Sequence, residues 1–398
     1  MPTGAIYVFD QLPIHDTCWA MIAGADDRVY IAACCEMTGG VGVYLVRFDP
    51  RKKSVDCLFD IAEAVGEPAT NGRATQCKIH YSLMASSDGM IYGATHLSGP
   101  PAGDFYYSPW ASWRESRSFI GSMIFAFDTR TDQVLWTDMC YPLEGSRSAG
   151  LDEVHGQVYG VGYPRDHFWA YKLEARETVD LGRIGSVNPL VVWTDPAGNG
   201  YTADDDGMII RCNGEKLALE CLDVFVPHAP YQGRFHCTVY DLVAAPDDPW
   251  TVYGVNWKAD PWLFRYRMSP TGPGEMTALG PIRVTGGPEP GSYWNSQDHA
   301  AGLVFDNQGR LNLFANSVAD YQTGTCIVHH MVLDPATGEQ QDLGILDFDG
   351  HRPRYIPRAA RTRAGELVLA DVGGTPTRAY CLPAVEGPFI NLPIRTWG

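Results

Sequence analysis

The sequence has few basic residues for its length. It contains 30 lysines and arginines against 47 aspartates and glutamates, so its formal net charge is −17. A surface of this charge repels the phosphates of nucleic acids and the headgroups of anionic membranes. We therefore expect neither nucleic acid nor a membrane as a partner, and we expect a monomer. A local cluster of arginine and histidine can still bind one carboxylate.

Long apolar runs are also absent, and the first residues lack the features of a secretory leader. No stretch approaches the roughly 18 consecutive apolar residues that a membrane-spanning helix needs. The first residues, MPTGAIYVFDQLPIHD, contain neither a basic segment nor a continuous apolar segment. We expect a cytoplasmic protein, or a secreted one whose leader has been removed.

Cysteine pairs with redox or metal-binding spacing are missing. The 11 cysteines are scattered, and no C-x-x-C occurs. This pattern favours small buried side chains in a reducing compartment. Other potential zinc ligands have no compact spacing, namely His155, His167, His228, His236, Cys212 and Cys221.

The familiar nucleotide-binding, metalloprotease and esterase motifs do not occur. The sequence has no G-x-x-x-x-G-K-[ST], H-E-x-x-H or G-x-S-x-G, and no G-x-G-x-x-G after a strand. The acidic runs at 204–207 and 347–350 resemble calcium loops without the terminal glutamate, so they favour turns. We expect that the chemistry requires no cofactor, while a structural calcium or zinc ion stays open.

What the sequence does contain is one phrase repeated seven times. A small or polar turn precedes a short apolar stretch that usually carries tyrosine, as in DDRVYIAAC, DGMIYGATH, HGQVYGVGY, AGNGYTADD, PWTVYGVNW, QGRLNLFANS and AGELVLADVG. The copies centre on residues 30, 92, 159, 201, 253, 312 and 368. Their mean step of about 56 residues is typical of a repeat architecture.

Between the copies lie pairs of alternating segments joined by a polar turn, such as MIFAFDTRTDQVLW. Each full unit therefore holds four strands, which make one propeller blade. We predict an all-β fold: a single seven-bladed β-propeller domain over residues 1–398, with four-stranded antiparallel blades. Its N-terminal strand, near residues 5 to 10, should pair with residues near 378 to 383 and cover the open edges. A β-sandwich or β-helix is the alternative, but sandwiches do not repeat one four-strand phrase seven times.

Residues at equivalent positions of the blades should form a ring at one mouth of the propeller channel. Before each anchor stand Cys18, His80, Arg147, His299 and Tyr355, with His236 in a lengthened unit, and after it stand Cys34, His96, Tyr163 and Trp257. His80 and His96 flank one hairpin, so both should lie at the same rim. Two imidazoles there can share base, acid and carboxylate-binding work near neutral pH. The alternative is that each is a hydrogen-bonded rim histidine.

Two aromatic-rich segments adjoin these histidines. LSGPPAGDFYYSPWASWRESRS follows His96, and PGSYWNSQDH leads into His299. Aromatic rings stack on the apolar faces of sugars and arginines bind carboxylates, so these segments suit an acidic glycan. The candidate substrate-binding residues are Tyr106, Tyr107, Trp110, Trp113, His236, Tyr293, Trp294 and His299. The alternative is that both segments pack over the propeller for stability.

The hairpin KIHYSLMASSDGMIYGATH resembles the region around the paired catalytic histidines of certain seven-bladed propeller polysaccharide lyases. These are the rhamnose-releasing rhamnose–glucuronate lyases and the ulvan lyases, which act on glucuronate next to rhamnose. The resemblance implies that Tyr141 joins the site and that Arg165 and Arg211 neutralise the uronate carboxylate. The two histidines are 16 residues apart, closer than in those families, and Arg165 stands later than the family arginine.

The resemblance implies β-elimination across C4 and C5 of a glucuronate unit. The C5 proton can be removed only when the carboxylate is neutralised, which is the expected role of Arg211 with Arg165 or His80. His96 is then the expected base and Tyr141 the expected acid, with the alternative that His96 serves in both roles. We expect an exo-acting lyase that cleaves L-rhamnose-α-1,4-D-glucuronate and releases rhamnose, for example from gum arabic. The alternatives are an endo-acting ulvan lyase, a propeller rhamnosidase, and a non-catalytic propeller that binds glycans or proteins.

Overall fold

The computed structural model describes residues 4–36, 42–67, 75–97, 119–185, 189–234, 237–258, 260–285, 299–318 and 326–386. Within these ranges the chain forms seven four-stranded antiparallel sheets and one short helix. The prediction of a seven-bladed β-propeller is confirmed. No helix in the described ranges is long and apolar enough to cross a membrane.

The first half of the chain forms blades 1 to 3, after an initial strand β1 (Ala5–Val8) that belongs to the last blade. Blade 1 comprises β2 (Thr17–Ala23), β3 (Val29–Cys34), β4 (Val43–Asp49) and β5 (Ser54–Asp60), and α1 (Ile61–Ala64) follows it. Blade 2 comprises β6 (Leu83–Ala85), β7 (Met90–Ala94), β8 (Gly121–Asp128) and β9 (Gln133–Pro142). Blade 3 comprises β10 (Gly145–Asp152), β11 (Gln157–Tyr163), β12 (His167–Lys172) and β13 (Glu177–Arg183).

The second half forms blades 4 to 7. Blade 4 comprises β14 (Trp193–Thr194), β15 (Gly200–Ala203), β16 (Met208–Asn213) and β17 (Ala218–Phe225). Blade 5 comprises β18 (Val239–Ala244), β19 (Thr251–Asn256), β20 (Trp262–Arg267) and β21 (Glu275–Pro281). Blade 6 comprises β22 (His299–Phe305), β23 (Leu311–Val318), β24 (Cys326–Leu333) and β25 (Gln340–Ile345). Blade 7 comprises β26 (Ala359–Arg361), β27 (Leu367–Ala370), β28 (Arg378–Leu382) and β1.

The two ends of the chain close the ring as predicted. Strand β1 pairs with β28 in antiparallel register, from Ala5 opposite Cys381 to Val8 opposite Arg378. The last blade thereby obtains its fourth strand from the start of the chain. This pairing covers the outer edge of β28, which would otherwise expose unpaired backbone groups.

Side-chain packing explains the glycine in the repeated phrase. In blades 2, 3 and 5 it lies on the second strand, opposite an aromatic residue of the third: the pairs are Gly93 with Phe125, Gly160 with Trp169, and Gly254 with Phe264. A Cβ atom at any of these glycines would overlap the aromatic ring. The phrase therefore carries glycine where the ring packs flat against the backbone of its neighbour.

The tyrosine and the acidic turn of the phrase also belong together. Tyr30 donates its hydroxyl hydrogen to Asp26 at 2.8 Å, and Tyr201 donates to Asp195 at 2.8 Å. In blades 1 and 4 this aspartate lies in the turn between the first and second strands. The acidic runs predicted as turns are turns too: Asp204 accepts from the amides of Asp206 and Met208 at 3.0 and 2.8 Å.

The two ends of the channel can now be defined. The innermost strand of each blade begins at one end, which we call the upper mouth, and ends at the other, the lower mouth. Thr17, Val239 and His299 start such strands, whereas the Asp26 and Asp195 turns follow their ends. An apolar cavity of about 150 Å³ occupies the channel, lined in part by Met21 and Leu242 among other inner-strand residues.

Candidate functional site

His80 and His96 lie together at the upper mouth. His80 precedes β6 and His96 follows β7, so the hairpin brings both to the same end of blade 2. A backbone bridge stabilises this arrangement: the Lys78 amide donates to the His96 carbonyl at 3.1 Å, and the His96 amide donates back at 2.7 Å. The ring centroids are 6.0 Å apart, and both side chains are buried.

The hydrogen bonds of the two rings define their tautomers. The Nδ1 atom of His80 lies 3.0 Å from the Arg147 carbonyl, and Nδ1 of His96 contacts the Leu97 carbonyl. Because a carbonyl oxygen can only accept, Nδ1 must carry the hydrogen in both rings. In the neutral state each imidazole therefore keeps a lone pair on Nε2, which is the atom that can accept a proton.

The surroundings favour the neutral state of both rings. Burial lowers the pKa of His80 well below its ordinary value, and the charges of Arg147 and Lys78 lower it further. Burial likewise lowers the pKa of His96, followed in size by the effects of Lys78 and Arg147. The upper mouth thus holds two uncharged imidazoles beside two cations.

Arg147 is the guanidinium of this cluster. It lies on β10, the innermost strand of blade 3, with its guanidinium carbon 5.4 Å from the centre of the Tyr163 ring. That ring in turn stacks on His96, with 5.6 Å between centroids. Among the described residues no carboxylate lies within ion-pair distance of Arg147, although its charge helps to lower the pKa of Glu36, and its buried Nε atom has no hydrogen-bond partner. Arg147 is therefore available to an anionic ligand.

Lys78, unlike Arg147, is already neutralised. Its ammonium lies 2.5 Å from a Glu36 carboxylate oxygen, and the indole nitrogen of Trp19 donates to the same carboxylate. Burial alone would raise the pKa of Glu36, but the Lys78 charge and these hydrogen bonds hold it below its ordinary value. The Trp19 ring stacks on His80 at 5.0 Å between centroids. This network joins blade 1 to the histidines of blade 2. It was not predicted from the sequence.

Aromatic rings form the floor of the upper mouth. Tyr81 lies 6.4 Å from Tyr240 between ring centroids, and the hydroxyl groups of Tyr240 and Tyr355 are hydrogen-bonded. The Arg358 guanidinium lies 3.9 Å from the centre of the Tyr81 ring and forms a buried ion pair with Asp241. Tyr81 and Arg358 also line the apolar cavity, so the floor borders that cavity, and the Arg358 charge is compensated by Asp241.

Trp257 and His299 lie at the same mouth, on blades 5 and 6. The indole nitrogen of Trp257 donates to Nε2 of His299 at 3.0 Å. Tyr240 packs against both rings, with centroids 4.5 Å from His299 and 5.9 Å from Trp257. His299 was predicted to bind substrate, and the structure places it at this mouth in contact with the floor.

Tyr141 and Arg165 lie farther out on the same rim. Tyr141 is at the end of the outermost strand β9, where its hydroxyl contacts Nδ1 of His167 at 2.5 Å and its ring stacks on Trp169. Burial raises the pKa of Tyr141, while the charge of exposed Arg165 opposes this rise. The structure thus brings these two predicted residues together with each other, one layer outside the histidine pair.

Glu144 lies between that outer layer and the histidines. Burial raises the pKa of its carboxyl group to about 7, and one carboxyl oxygen is buried without a hydrogen-bond partner. The following residue, Gly145, approaches the His96 ring so closely that a Cβ there would lie 3.0 Å from it. The sequence pattern predicted no role for Glu144, because its segment YPLEGS has no counterpart in the other repeat units.

Arg211 is not part of this cluster. It lies on β16, the third strand of blade 4, and is 4% exposed. Its guanidinium donates to the Glu220 carboxylate at 2.6 Å and to the carbonyls of Ser269 and Gly272 at 2.5 and 2.9 Å. These partners occupy its donors and link blade 4 to blade 5. The structure therefore gives Arg211 a structural position, and Arg147 lies where Arg211 was expected.

Most of the predicted substrate-binding residues lie outside the described residues: Tyr106, Tyr107, Trp110, Trp113, His236, Tyr293 and Trp294. The described residues that flank them, such as Leu97, Phe119 and His299, are at the upper mouth. As for a structural calcium or zinc ion, the described ranges contain no group of three His, Cys, Asp or Glu side chains arranged to hold one.

Comparisons with known proteins support the architecture. No protein-family model matches the chain, and no curated protein matches it. Among solved structures, streptogramin B lyase matches with a TM-score of 0.58 and 10% identity, over 95% of this chain and 97% of that one. The β-propeller domain of Cps50 (Swd1) from Myceliophteria thermophila matches with a TM-score of 0.58 and 10% identity, over 97% and 100%.

A longer protein shows the same fold. The extracellular domain of a one component system from B. thetaiotaomicron matches with a TM-score of 0.56 and 12% identity, over 95% of this chain. This chain spans 40% of the length of that protein. At such identities the matches show the fold alone, since propellers with unrelated activities share it. The chain is a seven-bladed β-propeller with its chemically distinctive residues at the upper mouth.

Proposed function

We propose that the chain is a polysaccharide lyase that cleaves the linkage between L-rhamnose and D-glucuronate by β-elimination. The observation that carries the proposal is Arg147, a guanidinium without a carboxylate partner among the described residues, beside two neutral imidazoles. A uronate offers the two groups that this arrangement suits: a carboxylate for the guanidinium, and an acidic proton on the neighbouring carbon for an imidazole.

The chemistry follows from the charges at the mouth. Arg147 binds the C6 carboxylate and withdraws charge from it, which makes the C5 proton more acidic. Nε2 of His96 or His80 accepts that proton, the electron pair forms the C4–C5 double bond, and the C4–O4 bond breaks. Because nearby cations make the imidazolium a strong acid, it returns the proton to the departing O4. No water or cofactor is consumed.

Tyr163 replaces Tyr141 as the phenol next to the base in this proposal. It stacks on His96 and contacts Arg147, whereas the Tyr141 hydroxyl is bonded to His167. A phenol in this position can hold the sugar against the imidazole by hydrogen bonding to a ring oxygen or hydroxyl group.

The test is incubation of the protein with gum arabic and with ulvan, followed by ultraviolet absorbance of the unsaturated uronate. We expect free rhamnose from gum arabic if the enzyme is exo-acting, and unsaturated oligosaccharides from ulvan if it is endo-acting. Arg147→Met should lose activity on both, while the matched variant Arg165→Met should keep most of it. Activity that depends on Arg165 and not on Arg147 would contradict the assignment of the carboxylate site.

A non-catalytic glycan-binding propeller is the second candidate, favoured by the aromatic floor of Trp19, Tyr81, Tyr240 and Tyr355. Such a floor binds sugar rings without any chemistry. Binding of gum arabic or ulvan without any unsaturated product would favour it over the lyase. A propeller rhamnosidase would instead release rhamnose from gum arabic without forming a double bond.

A further inference from the structure

The upper mouth has two chemically different sides. Arg147 and Lys78 lie with the histidine pair on the side of blades 2 and 3. On the side of blades 5 and 6, Trp257 is half-buried and contacts the rings of Tyr240 and His299. The first side suits an anion, and the second suits an uncharged ligand with an apolar face.

The orientation of Trp257 is set by its neighbours. An indole nitrogen can only donate, so Nε2 of His299 must be the acceptor of their 3.0 Å hydrogen bond. His299 is therefore neutral while this bond exists, with its hydrogen on Nδ1. The Trp257 amide also donates to the Thr238 carbonyl at 2.8 Å. These bonds hold the indole in one position and reduce the entropy lost when a ligand stacks on it.

A cationic ligand is a poor candidate for this side. Aromatic rings attract cations, but the Arg358 guanidinium already lies 3.9 Å from the Tyr81 ring in the shared floor. Arg147 adds a second positive charge across the mouth. An uncharged sugar ring avoids this repulsion and can place its C–H face against the indole.

A row of contacting aromatic rings connects the two sides. Ring centroids along the floor lie 4.4 Å apart from His80 to Tyr81, 6.4 Å from Tyr81 to Tyr240, and 5.9 Å from Tyr240 to Trp257. His80, Tyr81 and Tyr240 in this row are buried, whereas Trp257 at its end is half-buried. A glycan that contacts both sides would therefore present different sugars to them.

We propose that Trp257 is the platform of a second subsite, which takes a neutral sugar ring while the Arg147 side holds the uronate. The inference deepens the proposed function and rests on it for the identity of the glycan. His299 and Tyr240 act as positioning residues for the platform. The subsite gives the bound chain a direction across the mouth, from the uronate at blades 2 and 3 to the neutral sugar at blades 5 and 6.

The experiment measures binding of two separate probes by ligand-observed NMR titration: methyl α-L-rhamnopyranoside as the neutral sugar and methyl β-D-glucuronopyranoside as the acidic one. Trp257→Ala should weaken rhamnoside binding by about tenfold, the upper range for one aromatic contact, and leave glucuronoside binding unchanged. Trp257→Phe should keep most of the rhamnoside affinity. Arg147→Met should weaken glucuronoside binding and leave rhamnoside binding unchanged. Trp250→Ala, on the same blade at the lower mouth, is the matched control and should affect neither probe.

Three results would overturn the proposal: no rhamnoside binding to the parent protein, unchanged rhamnoside binding in Trp257→Ala, or equal weakening of both probes in that variant. Turnover of gum arabic and ulvan is measured separately. If no unsaturated product forms but rhamnoside binding depends on Trp257, the lyase assignment fails and the subsite stands. If product forms and Trp257→Ala has no effect on either probe, the lyase stands and the subsite fails.

Discussion

The same seven blades build both mouths of the channel, but the residues that the blades contribute differ between the two mouths. At the lower mouth the turns of blades 1 and 4 resemble each other: Asp26 accepts from Tyr30, and Asp195 accepts from Tyr201. At the upper mouth the blades contribute side chains of different chemistry, among them an imidazole, a guanidinium and an indole. Repetition in this chain therefore marks what every blade needs to fold, and departures from the repeat mark the residues available for function.

The two mouths also differ in how their charges are satisfied. Asp195 accepts hydrogen bonds from the amides of Ala197 and Asn199, from the Asn199 side chain and from the Tyr201 hydroxyl. Arg147 at the upper mouth has no carboxylate partner among the described residues. A fully bonded carboxylate stabilises the fold, whereas a partly bonded guanidinium can bind a ligand.

The largest expected effect is a loss of catalytic activity caused by a substitution at the upper mouth. If His96 is an acid–base group, His96→Ala should lower kcat on gum arabic or ulvan by about 10²-fold or more per folded molecule, and removal of this buried ring should also lower the melting temperature. His80→Ala should raise KM as well, because its Nδ1 bond to the Arg147 carbonyl supports the carboxylate site. A folded His96→Ala protein with near-parental turnover would contradict the proposed mechanism.

The second effect is a loss of folding stability caused by substitutions at the lower mouth. Asp195→Ala removes four hydrogen bonds and leaves buried donors without an acceptor, so the free energy of unfolding should fall by about 2–3 kcal/mol. Tyr201→Phe removes one of these bonds and should cost about 1 kcal/mol. Urea denaturation measures both, and the turnover of the folded variants should match the parent. A loss of kcat in Asp195→Ala at full folding would break the division between a structural and a functional mouth.

The third prediction concerns pH. Burial and the cations Arg147 and Lys78 depress the pKa of both histidines, so the base stays unprotonated below pH 6.5. The acid limb of the kcat/KM profile should therefore lie below pH 6.5, lower than for an unperturbed histidine. Arg147→Met removes a positive charge that disfavours the imidazolium, so any residual activity should show its acid limb at higher pH. An acid limb that stays in place would show that Arg147 does not act on the histidines.

The smallest effect concerns a carboxyl group at the upper mouth. Burial raises the pKa of Glu144 from 4.5 to about 7, so the folded state binds this proton more tightly than the unfolded state. The resulting stability is complete below pH 4.5 and is lost as the pH rises through 7. Glu144→Gln keeps the neutral form at all pH values. Its melting temperature should equal the parent's at pH 4 and exceed it by about 2 °C at pH 8. An equal difference at both pH values would contradict this account.

The sequence predicted some of the site because part of the site is local. His80 and His96 are the two ends of one hairpin, and a hairpin returns its ends to the same place whatever surrounds it. The spacing around each anchor also located Arg147, Tyr163, Trp257 and His299 at a common rim. The spacing could not assign their roles, because it gives a position along a strand and not the neighbours of a side chain.

Other parts of the site depend on contacts between blades. Arg211 has the residue type and sequence order expected of a carboxylate ligand, yet it lies on a third strand and is bonded to Glu220 and to blade 5. The Lys78–Glu36 pair joins two blades across 42 positions of the chain. Neither contact leaves a local pattern in the sequence.

By itself the sequence determined the blades, because alternation, turn residues and the glycine–aromatic pairs act between neighbouring strands of one hairpin. It also determined the closure of the ring, since the unpaired first segment and the incomplete last unit complement each other. Only the tertiary structure decided which charges remain unpaired at the upper mouth. That outcome depends on which side chains meet when seven blades close into a ring, and burial in the closed ring then sets the protonation of the histidines.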